Sequence, residues 1–498
     1  MRVANSIIRR LIFSPRRVAA VDDQRTWRAY ELYVGALHIA RTIKRTTDAE
    51  HIGLMLPTSG LFPMAMIGTW MLGRTVVPLN YLLKPNELEY VINDAELDTV
   101  ITVTAMVDFV GGLPERVRQI RLDELRFKGV PPFRRARRRP EDHVAVLLYT
   151  SGTSGRPKGV MLTSANLHAN VRQCVQWARF TREDVLLSVL PQFHSFGLTV
   201  LTLLPLIVGC KAVYTARFMP RKMLSLLREY RPTALIAIPS MFNALLHAKD
   251  AAPDDFKSLR YIVSGGEPLP GAIFDGFRDR FGVTIKEGYG LTETGPVANW
   301  NRPEDDQLRS VGMPIPDVQE KIVAPDGTRL GVDDEGEICI RGPNIMAGYY
   351  KLPDETAAVF DDEGYFKTGD MGRIDADGYL YITGRIKEML IIAGENVFPR
   401  EIEEVLNAHA SVLDSAVVGM QDSSRGEVAL AFVELNDGAS FDETALRTYC
   451  RDHLAQFKVP REIRRIDKLP RNPTGKIMRR ELSAETPSAI QGSAGSES

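Results

Sequence analysis

The chain has 498 residues, enough for about three domains and a large buried core without a disulfide scaffold. Its 62 Lys and Arg residues nearly balance its 63 Asp and Glu residues, and the formal net charge of −1 argues against a protein that coats nucleic acid or anionic membrane. Hydrophobic residues at 44% and charged residues at 25% are typical of a globular protein. Without a Cys-x-x-Cys pair we expect neither a zinc module nor disulfides, and we assign the protein to the reducing cytoplasm. The cysteines are Cys174, Cys210, Cys339 and Cys450.

Near the N-terminus the residues Met1 to Pro15 predict a short amphipathic helix and lack the features of a signal peptide. The most apolar stretch, from Leu61 to Leu72, is shorter than the ~20 residues that a membrane span requires. We therefore predict no transmembrane segment. A basic cluster follows farther along, and we interpret it as a solvated loop, with docking to an anionic membrane or to the phosphates of a nucleotide as alternatives. The cluster consists of Arg134, Arg135, Arg137, Arg138 and Arg139.

Apolar strands alternate with helical stretches from about Val144 to Glu287, and more weakly from Ala19 to about Met106. Buried strands that alternate with helices predict an α/β architecture with mainly parallel sheets. We expect a helix to begin at Thr163 or Ser164, directly after a glycine-rich loop. The predicted strands are Val144–Tyr149, Val185–Leu190, Ala234–Ile238, Tyr261–Val263 and Thr284–Lys286.

The pattern changes after Gly312, where short strands separated by Asp-Gly turns predict a smaller β-rich subdomain. Beyond Gly384 the sequence predicts a compact α+β domain of roughly 100 residues. A helix there begins at Pro399. The remaining predicted elements are the strands Glu337–Ile340, Tyr379–Thr383, Met389–Ile392, Val412–Val418 and Val428–Val433 and the helix Ala445–Leu454.

A segment rich in glycine and hydroxyl residues, from Tyr149 to Gly159, is the strongest local signal. Small residues let backbone N–H groups approach a ligand, hydroxyls donate hydrogen bonds and a lysine adds charge, which together suit a polyphosphate. The spacing differs from a Walker A loop, since no Ser or Thr follows the lysine. The candidate phosphate-binding residues are Thr150, Ser151, Gly152, Thr153, Ser154, Gly155 and Lys158.

This segment resembles that of the adenylate-forming superfamily, which includes acyl-CoA synthetases, firefly-type luciferases and peptide-synthetase adenylation domains. The resemblance covers the chain from about Trp27 to Arg480 and is greatest for fatty-acyl-CoA synthetases. Further motifs occur in the family's order. They are Phe193–Gly197, Gly265–Leu269, Glu287–Thr294, Tyr365–Asp370, Gly384–Lys387 and Pro473–Lys476.

The resemblance implies a large N-terminal domain over residues 1–386, with two doubly wound α/β subdomains and a β-rich subdomain. A small, mobile α+β domain over residues 387–482 follows. The composition of residues 483–498, rich in Ser, Ala, Gly and Glu, predicts a disordered tail. Lys387 resembles the hinge residue of the family, although many relatives have Asp there. The residues Gly394, Glu395 and Asn396 resemble the segment beside which the pantetheine arm of CoA enters.

The resemblance also implies the reaction: a carboxylate attacks the α-phosphate of ATP, with Mg²⁺ as the metal, and the acyl group then passes to CoA. Glu293 resembles the family's magnesium ligand, and Thr292 resembles its phosphate-contacting threonine. Lys158 would contact the departing pyrophosphate, and Lys476 resembles the mobile lysine that bridges the substrate carboxylate and the α-phosphate.

The nucleotide site follows from the same resemblance. Tyr289 resembles the aromatic residue that stacks on adenine, and Gly290 belongs to the same motif. Asp370 resembles the carboxylate that accepts both ribose hydroxyls, and Arg385 the arginine that reaches ribose or phosphate. The residues that resemble the strip beside the base are Gly265, Gly266 and Glu267.

At the position of His194, amino-acid-activating members of the family have an Asp that pairs with the ammonium of the substrate. Because a neutral imidazole gives no strong anchor for a cation, an amino-acid substrate is disfavoured. The predicted acyl pocket is apolar and favours a medium- or long-chain fatty acid, with an aryl acid as the alternative. We expect Gly197 and Gly290 to leave room for chain length. The pocket residues are His194, Phe196, Gly197, Met241, Phe242, Leu245, Gly290 and Leu291.

Three alternatives to CoA transfer stay open at this point. The acyl group could pass to the phosphopantetheine arm of an acyl carrier protein, the chain could be a luciferase-like oxygenase, or it could be an ATP-binding regulator without catalysis. We expect the partners to be a carboxylic acid, ATP and CoA, with no nucleic acid. Peripheral contact with a membrane surface is compatible with the sequence.

Overall fold

Apolar strands and amphipathic helices alternate along most of the chain, and the observed α/β class confirms the prediction. The computed structural model describes residues 1–150, 156–305, 307, 309–392, 395–422, 426–471 and 476–483. The chain divides into two units, whereas the domain boundaries after residues 386 and 482 stay predictions. Unit 1 comprises Met1–Gly266, Phe277–Glu320 and Cys339–Thr368, and unit 2 comprises Glu267–Gly276, Lys321–Ile338 and Gly369–Ser498.

Most strands are short before residue 314, and the longest lie toward the C-terminus. The earlier strands are β1 (Val18–Val21), β2 (Thr26–Arg28), β3 (His51–Met55), β4 (Thr75–Pro78), β5 (Thr99–Thr102), β6 (Arg118–Arg121), β7 (Val144–Thr150), β8 (Lys158–Thr163), β9 (Val185–Ser188), β10 (Lys211–Tyr214), β11 (Ala234–Ala237), β12 (Tyr261–Ser264), β13 (Lys286–Tyr289), β14 (Asn299–Trp300) and β15 (Met313–Pro314). The later strands are β16 (Gln319–Val323), β17 (Gly336–Arg341), β18 (Phe366–Ile374), β19 (Leu380–Arg385), β20 (Leu390–Ile392), β21 (Glu395–Val397), β22 (Val412–Asp422), β23 (Gly426–Leu435) and β24 (Glu462–Arg465).

Two mainly parallel sheets form the framework of unit 1. One has the strand order β15-β14-β13-β12-β11-β9-β10-β1-β2, and the other has the order β6-β5-β3-β4-β7-β8. Neighbouring strands such as β11, β12 and β13 run parallel, so the chain must cross over between them, and helices make most of these crossovers. A third sheet has the strand order β16-β17-β18-β19.

The helix predicted at Thr163 or Ser164 begins at Ser164, because the Thr163 hydroxyl accepts a hydrogen bond from the Asn166 backbone N–H at 3.1 Å and caps the helix. The amphipathic helix predicted at the N-terminus is also present, and its Ile7 and Ile8 are buried. The helices are α1 (Arg2–Phe13), α2 (Ala29–Thr46), α3 (Leu61–Met71), α4 (Pro85–Asp94), α5 (Thr104–Phe109), α6 (Ser164–Ala178), α7 (Ser195–Leu198), α8 (Leu204–Val208), α9 (Pro220–Tyr230), α10 (Pro239–Leu246), α11 (Pro253–Phe256), α12 (Gly271–Phe281), α13 (Pro353–Ala358), α14 (Pro399–Asn407) and α15 (Glu443–His453).

Two predictions near the candidate site were wrong. The strand predicted at Thr284–Lys286 instead spans Lys286–Tyr289 as β13. Its end is set by pairing, because Glu287 pairs with Ser264 of β12 and Tyr289 pairs with Asn299 of β14. These pairings draw polar residues and a glycine into the sheet. The glycine-rich segment leads into the strand β8 rather than into a helix, and β8 pairs antiparallel with β7.

The sheet β21-β20-β23-β22, with β24 beside β23, forms the core of unit 2 together with α14 and α15. Strand β23 is buried on both faces. Ala431 and Val433 face a core that includes Ile402 and Leu446 of the two helices, and Phe432 packs with Leu482 on the other face. A fully buried valine, leucine, isoleucine or phenylalanine side chain contributes about 1.5–3 kcal/mol to folding. These contacts therefore stabilise the predicted α+β arrangement.

Buried thiols occur in both units, and each of the four cysteines is a free thiol. We find no helix in the described part of the chain whose length and apolar character would let it cross a bilayer.

Candidate active site

Two predicted nucleotide-binding motifs meet at one edge of the larger sheet of unit 1. Gly265 and Gly266 directly follow β12, and Tyr289 ends the parallel neighbour β13. The carboxyl ends of parallel strands form the usual ligand-binding edge of an open α/β sheet. A Cβ at Gly265 would stand 2.9 Å from the ring of Phe196, so only glycine lets that ring lie against the backbone. Gly266 has a φ of +87°, which also favours glycine.

The segment that contains His194 contacts the segment that contains Thr292. The Ser195 and Thr292 hydroxyl oxygens are 3.3 Å apart. His194 is exposed at the start of α7, where its Nδ1 accepts a hydrogen bond of 3.4 Å from the Phe196 N–H. Leu291 immediately precedes the turn that holds Thr292. The structure therefore brings a predicted acyl-pocket motif and a predicted phosphate motif together.

The carboxylate of Glu293 is oriented by a tyrosine that was not predicted from the sequence to belong to the site. Its Oε1 accepts a hydrogen bond from the Tyr349 hydroxyl at 2.9 Å, and its backbone carbonyl accepts one from the Met346 N–H at 2.8 Å. Tyr349 is only 8% exposed. Burial and the nearby negative charge of Glu293 raise the pKa of Tyr349, so its hydroxyl keeps its proton and donates.

The same tyrosine also contacts the lysine of the phosphate motif. The Lys158 ammonium lies 5.2 Å from the centre of the Tyr349 ring and forms an ion pair with Glu355. Backbone hydrogen bonds attach this part of the chain to β8, including one of 2.8 Å from the Tyr350 N–H to the Gly159 carbonyl. Lys158, Tyr349 and Glu293 thus form one cluster in unit 1.

Thr150, the last residue of β7, pairs across the hairpin with Lys158. The predicted phosphate-binding loop joins these two strands. Its residues Ser151, Gly152, Thr153, Ser154 and Gly155 lie outside the described residues.

A magnesium ion fits this cluster on the chemistry of its donors. The described ranges contain no group of three or more His, Cys, Asp or Glu side chains that could hold a metal by themselves. Mg²⁺ is usually bound by one or two carboxylates together with substrate phosphates. The oriented carboxylate of Glu293 suits that arrangement, and a bound Mg²⁺ would offset the negative charge of the ATP phosphates.

Three predicted acyl-pocket residues lie on α10. Phe242 and Leu245 are fully buried, and the Phe242 ring packs edge-on against Phe277 at 5.5 Å between ring centres. Met241 is half-buried on the same helix. Their contact with an acyl chain stays a prediction.

The expectation that two glycines leave room for an acyl chain was wrong. A Cβ at Gly197 would stand 2.0 Å from the Pro191 carbonyl oxygen, and one at Gly290 would stand 1.9 Å from the Pro296 carbonyl oxygen. Backbone already occupies the space where a side chain would begin. Glycine at these positions therefore permits close packing of the chain and provides no free volume.

The predicted ribose-binding residues lie together in unit 2. Asp370 of β18 and Arg385 of β19 are register partners, and Asp370 Oδ1 accepts a hydrogen bond of 2.8 Å from Arg385 Nε. The Asp370 side chain is 4% exposed. A buried, arginine-oriented carboxylate is suited to accept hydrogen bonds from a diol.

The predicted catalytic lysine, Lys476, is half-buried in unit 2. Burial and the positive charge of Arg385 lower its pKa, while Glu388 and Glu267 oppose this effect. Burial likewise raises the pKa of Glu267, although the charge of Lys476 opposes the shift. The structure thus places Glu267 within electrostatic reach of Lys476.

Arg479, for which the sequence predicted no role, anchors the segment that contains Lys476. Its guanidinium donates to both carboxylate oxygens of Glu403, with the shortest bond at 2.7 Å, and lies 3.3 Å from Glu388. Glu403 also accepts a bond of 2.8 Å from the Val417 N–H. The one signal in the sequence that could have indicated this role is the position of Arg479, three residues after the candidate lysine Lys476.

The predicted hinge residue Lys387 is exposed in the turn Ile386–Glu388. Glu395 and Asn396, predicted beside the CoA path, are exposed residues of β21. Gly394 lies outside the described residues. The roles of these residues stay predictions.

Comparisons with known proteins agree with these motifs. The profile described as "AMP-binding enzyme" matches residues 13–350, and "AMP-binding enzyme C-terminal domain" matches residues 401–476. A long-chain-fatty-acid–CoA ligase of Bacillus subtilis is 32% identical over 88% of this chain and 85% of its own. A sulfoacetate–CoA ligase of Cupriavidus necator is 34% identical over 87% of each chain.

Among solved structures, ATP-bound MatB from Rhodopseudomonas palustris matches with a TM-score of 0.88 and 31% identity, over 96% of this chain and 98% of that one. The family profile covers more than half of the chain, and full-length relatives exceed 30% identity. The chain therefore belongs to the AMP-binding enzyme family, within the adenylate-forming superfamily, and its relatives identify it as an acid–thiol ligase.

Proposed function

We propose that this chain is an AMP-forming acyl-CoA ligase whose acid is a medium- or long-chain fatty acid. Its co-substrates are ATP and CoA and its metal is Mg²⁺, in agreement with CoA-ligase relatives and with solved relatives that contain ATP or ATP and a magnesium ion. The observation that carries the choice of acid is the apolar character of the residues predicted to contact the acyl group. Helix α10 carries no charged side chain, and its Phe242 and Leu245 are fully buried.

The first half-reaction must bring two anions together, the substrate carboxylate and the ATP α-phosphate. Two unit charges about 4 Å apart repel by roughly 4 kcal/mol at an effective dielectric constant of 20, nearly three decades in rate. In our proposal Lys476 offsets this repulsion by contacting both groups, and Lys158 stabilises the departing pyrophosphate. Thr292 donates a hydrogen bond to a phosphate oxygen. The carboxylate of Glu293, already oriented by Tyr349, would hold Mg²⁺ through its opposite charge.

The second half-reaction is attack of the CoA thiol on the acyl carbonyl, with AMP as the leaving group. We propose that Asp370 and Arg385 hold the nucleotide ribose through both half-reactions. We further propose that the C-terminal domain rotates about Lys387 between the half-reactions, and that CoA enters beside Glu395 and Asn396.

The acid preference is supported by what the predicted pocket lacks. A sulfonated or dicarboxylic acid would need a cation for its second anionic group, and an amino acid would need a carboxylate for its ammonium. Among the predicted pocket residues only His194 is titratable, and it is exposed. An alkyl tail needs only apolar surface and gains about 0.8 kcal/mol per buried CH₂.

An aryl acid is the second candidate, and one specific observation favours it. The half-buried ring of Phe196, a predicted acyl-pocket residue, lies against the backbone at Gly265, and an aryl group in that pocket could pack against it. Aromatic pairs of this kind contribute about 0.5–1.5 kcal/mol beyond the area they bury.

The test is release of AMP from ATP and Mg²⁺ with a panel of acids, each with and without CoA. The panel contains fatty acids of increasing length, benzoate, cinnamate, sulfoacetate and amino acids. We expect CoA-dependent AMP release that is greatest with medium or long fatty acids. Turnover with benzoate or cinnamate alone would move the assignment to the aryl class. Adenylate formation without CoA turnover would instead indicate loading of a carrier protein.

A further inference from the structure

A cationic loop with exposed apolar side chains follows β6 in unit 1, and none of the proposed catalytic steps uses it. Between Leu125 and Pro140 the sequence has seven Lys or Arg residues and no acidic residue. This local charge contrasts with the net charge of −1 for the whole chain. We call this segment the basic loop; its cations are Arg126, Lys128, Arg134, Arg135, Arg137, Arg138 and Arg139.

The basic loop is fixed to the protein and is not simply solvated chain. The Tyr33 hydroxyl of α2 donates to the Arg134 carbonyl at 3.1 Å, and His38 Nε2 lies 2.9 Å from the Gly129 carbonyl oxygen. The Phe127 ring packs edge-on against His38 at 5.3 Å between ring centres. These contacts give the loop a definite outward face.

That outward face combines positive charge with apolar surface. Val130 is 75% exposed and Phe133 is 59% exposed. The Arg135 guanidinium lies 5.9 Å from the Phe133 ring. Exposed apolar groups ringed by cations are typical of surfaces that dock to a lipid interface.

Only part of this positive charge is neutralised by acidic side chains of the described residues. Arg139 pairs with Glu50 at 3.0 Å. For the exposed Arg135, Arg137 and Arg138, the described part of the chain offers no acidic side chain within ion-pair distance. Unneutralised charge of this density attracts an anionic surface and is screened by salt.

From this combination we propose that the basic loop is a peripheral docking surface for an anionic phospholipid bilayer. The cations would contact lipid phosphates, and the side chains of Val130 and Phe133 would enter the interfacial region. Exposed aliphatic and aromatic groups favour a bilayer over nucleic acid, whose phosphate backbone offers them no apolar partner. The proposal is independent of the acid that the enzyme activates.

The test is co-sedimentation of the full chain with vesicles of phosphatidylcholine alone or mixed with phosphatidylglycerol. We expect binding only to the mixed vesicles, with a loss in about 1 M salt, where the Debye length is ~3 Å. The variant R134Q/R135Q/R137Q/R138Q should lose at least about tenfold in vesicle affinity. Phe133→Ser should weaken binding by about threefold or more while leaving its salt dependence unchanged.

A matched control removes four other exposed cations of unit 1, as R221Q/K222Q/K249Q/K257Q. Its binding should equal that of the wild type, and unchanged melting temperatures will show that each variant folds. Equal affinity of the wild type for both vesicle types would overturn the proposal, as would equal loss in the control variant. Tighter binding to a DNA duplex than to mixed vesicles would overturn it in favour of nucleic acid.

Discussion

The Tyr349 hydroxyl donates a 2.9 Å hydrogen bond to Glu293 Oε1, and the same tyrosine ring lies beneath the Lys158 ammonium. One side chain therefore contacts both the candidate metal ligand and the candidate pyrophosphate-binding lysine. This arrangement explains how unit 1 holds opposite charges at fixed positions before ATP binds.

Replacing Tyr349 with phenylalanine should weaken the use of magnesium. A hydrogen bond to a charged group contributes about 1.5–3 kcal/mol, so the Mg²⁺ concentration for half-maximal ATP–pyrophosphate exchange should rise about tenfold. Binding of Mn²⁺ in the presence of ATP, followed by electron paramagnetic resonance, should weaken in parallel. Tyr350→Phe is the matched control, because its hydroxyl contacts Glu96. Equal metal dependence in the two variants would contradict this role.

The ion pair between Lys158 and Glu355 competes with the proposed contact between Lys158 and phosphate. Because Glu355 is 45% exposed, the pair is worth at most about 1 kcal/mol. Glu355→Gln should therefore lower the KM for ATP by about two- to fivefold without a matching change in the KM for the acid. Asp354→Asn, at the neighbouring position of α13, is the control. A higher KM for ATP in Glu355→Gln would show that the pair supports binding.

Lys476→Ala should reduce the rate of adenylation by a factor on the order of 10²–10³, by analogy with the loss of one preorganised hydrogen-bond donor that stabilises developing charge. Transfer to CoA from preformed acyl-AMP should change much less, and the exposed Lys468→Ala should change neither half-reaction. Equal losses in both half-reactions would count against the proposed role.

The pH dependence of adenylation offers a second test of Lys476. Burial lowers its pKa, so its charge should be lost as pH rises through a value below the ~10.4 of an ordinary lysine. Adenylation should decline over that alkaline range. Lys476→Arg, which keeps its charge, should remove this decline even if its rate is lower. The same alkaline limb in both enzymes would assign it to another group.

Arg479→Ala should destabilise unit 2 by about 3 kcal/mol, because it leaves the Glu403 carboxylate buried without its cation. The effect should appear as faster amide hydrogen exchange in β22 and β23, which pack beside this pair. Arg480→Ala removes an exposed arginine at the next position and should leave exchange unchanged. Similar exchange in both variants would contradict the anchoring role.

Glu320 predicts a stability change with pH. Its carboxyl is buried, with one oxygen accepting from Asn299 Nδ2 at 3.1 Å, and burial raises its pKa to about 7. Because the folded state holds this proton more tightly than the unfolded state, the carboxyl stabilises the fold at low pH. The free energy of unfolding should then fall by about 1.4 kcal/mol per pH unit as the pH rises from about 4.3 to 7. Glu320→Gln should lack this loss.

The measurement for Glu320 is urea unfolding of both proteins across that pH range, followed by tryptophan fluorescence. The stability of Glu320→Gln relative to the wild type should increase with pH and level off above about 7. The exposed Glu183→Gln is the control and should track the wild type. A constant difference between Glu320→Gln and the wild type would contradict the assignment.

Much of the fold was predictable because apolar runs and helix caps are local signals. The strands around Val144, Ala234 and Tyr261 and the helix at Ser164 followed from such signals. Strand β13 was misplaced because long-range pairing of Glu287 and Tyr289, rather than local hydrophobicity, sets its ends. Strand β8 was missed because its pairing with β7 across the glycine-rich loop defines it, and a glycine-rich segment followed by a helix start gave no local signal for a strand.

The candidate site was predictable where a residue type carries the chemistry and much less so where a contact does. Glu293 and Asp370 could be named from their motifs, but their partners were not all assigned from sequence: Tyr349 is separated from Glu293 by 56 positions along the chain. The misreading of Gly197 had a similar origin, because a glycine that makes room for a ligand and one that makes room for backbone look alike in sequence.

The most direct test of the account follows the products of ATP with a long-chain fatty acid. Without CoA, we predict acid-dependent exchange of pyrophosphate into ATP, which requires a reversible acyl-adenylate. Addition of CoA should then yield AMP, pyrophosphate and acyl-CoA in equal amounts. Formation of ADP and phosphate, or acyl-CoA formation without any acid-dependent exchange, would contradict the adenylate mechanism.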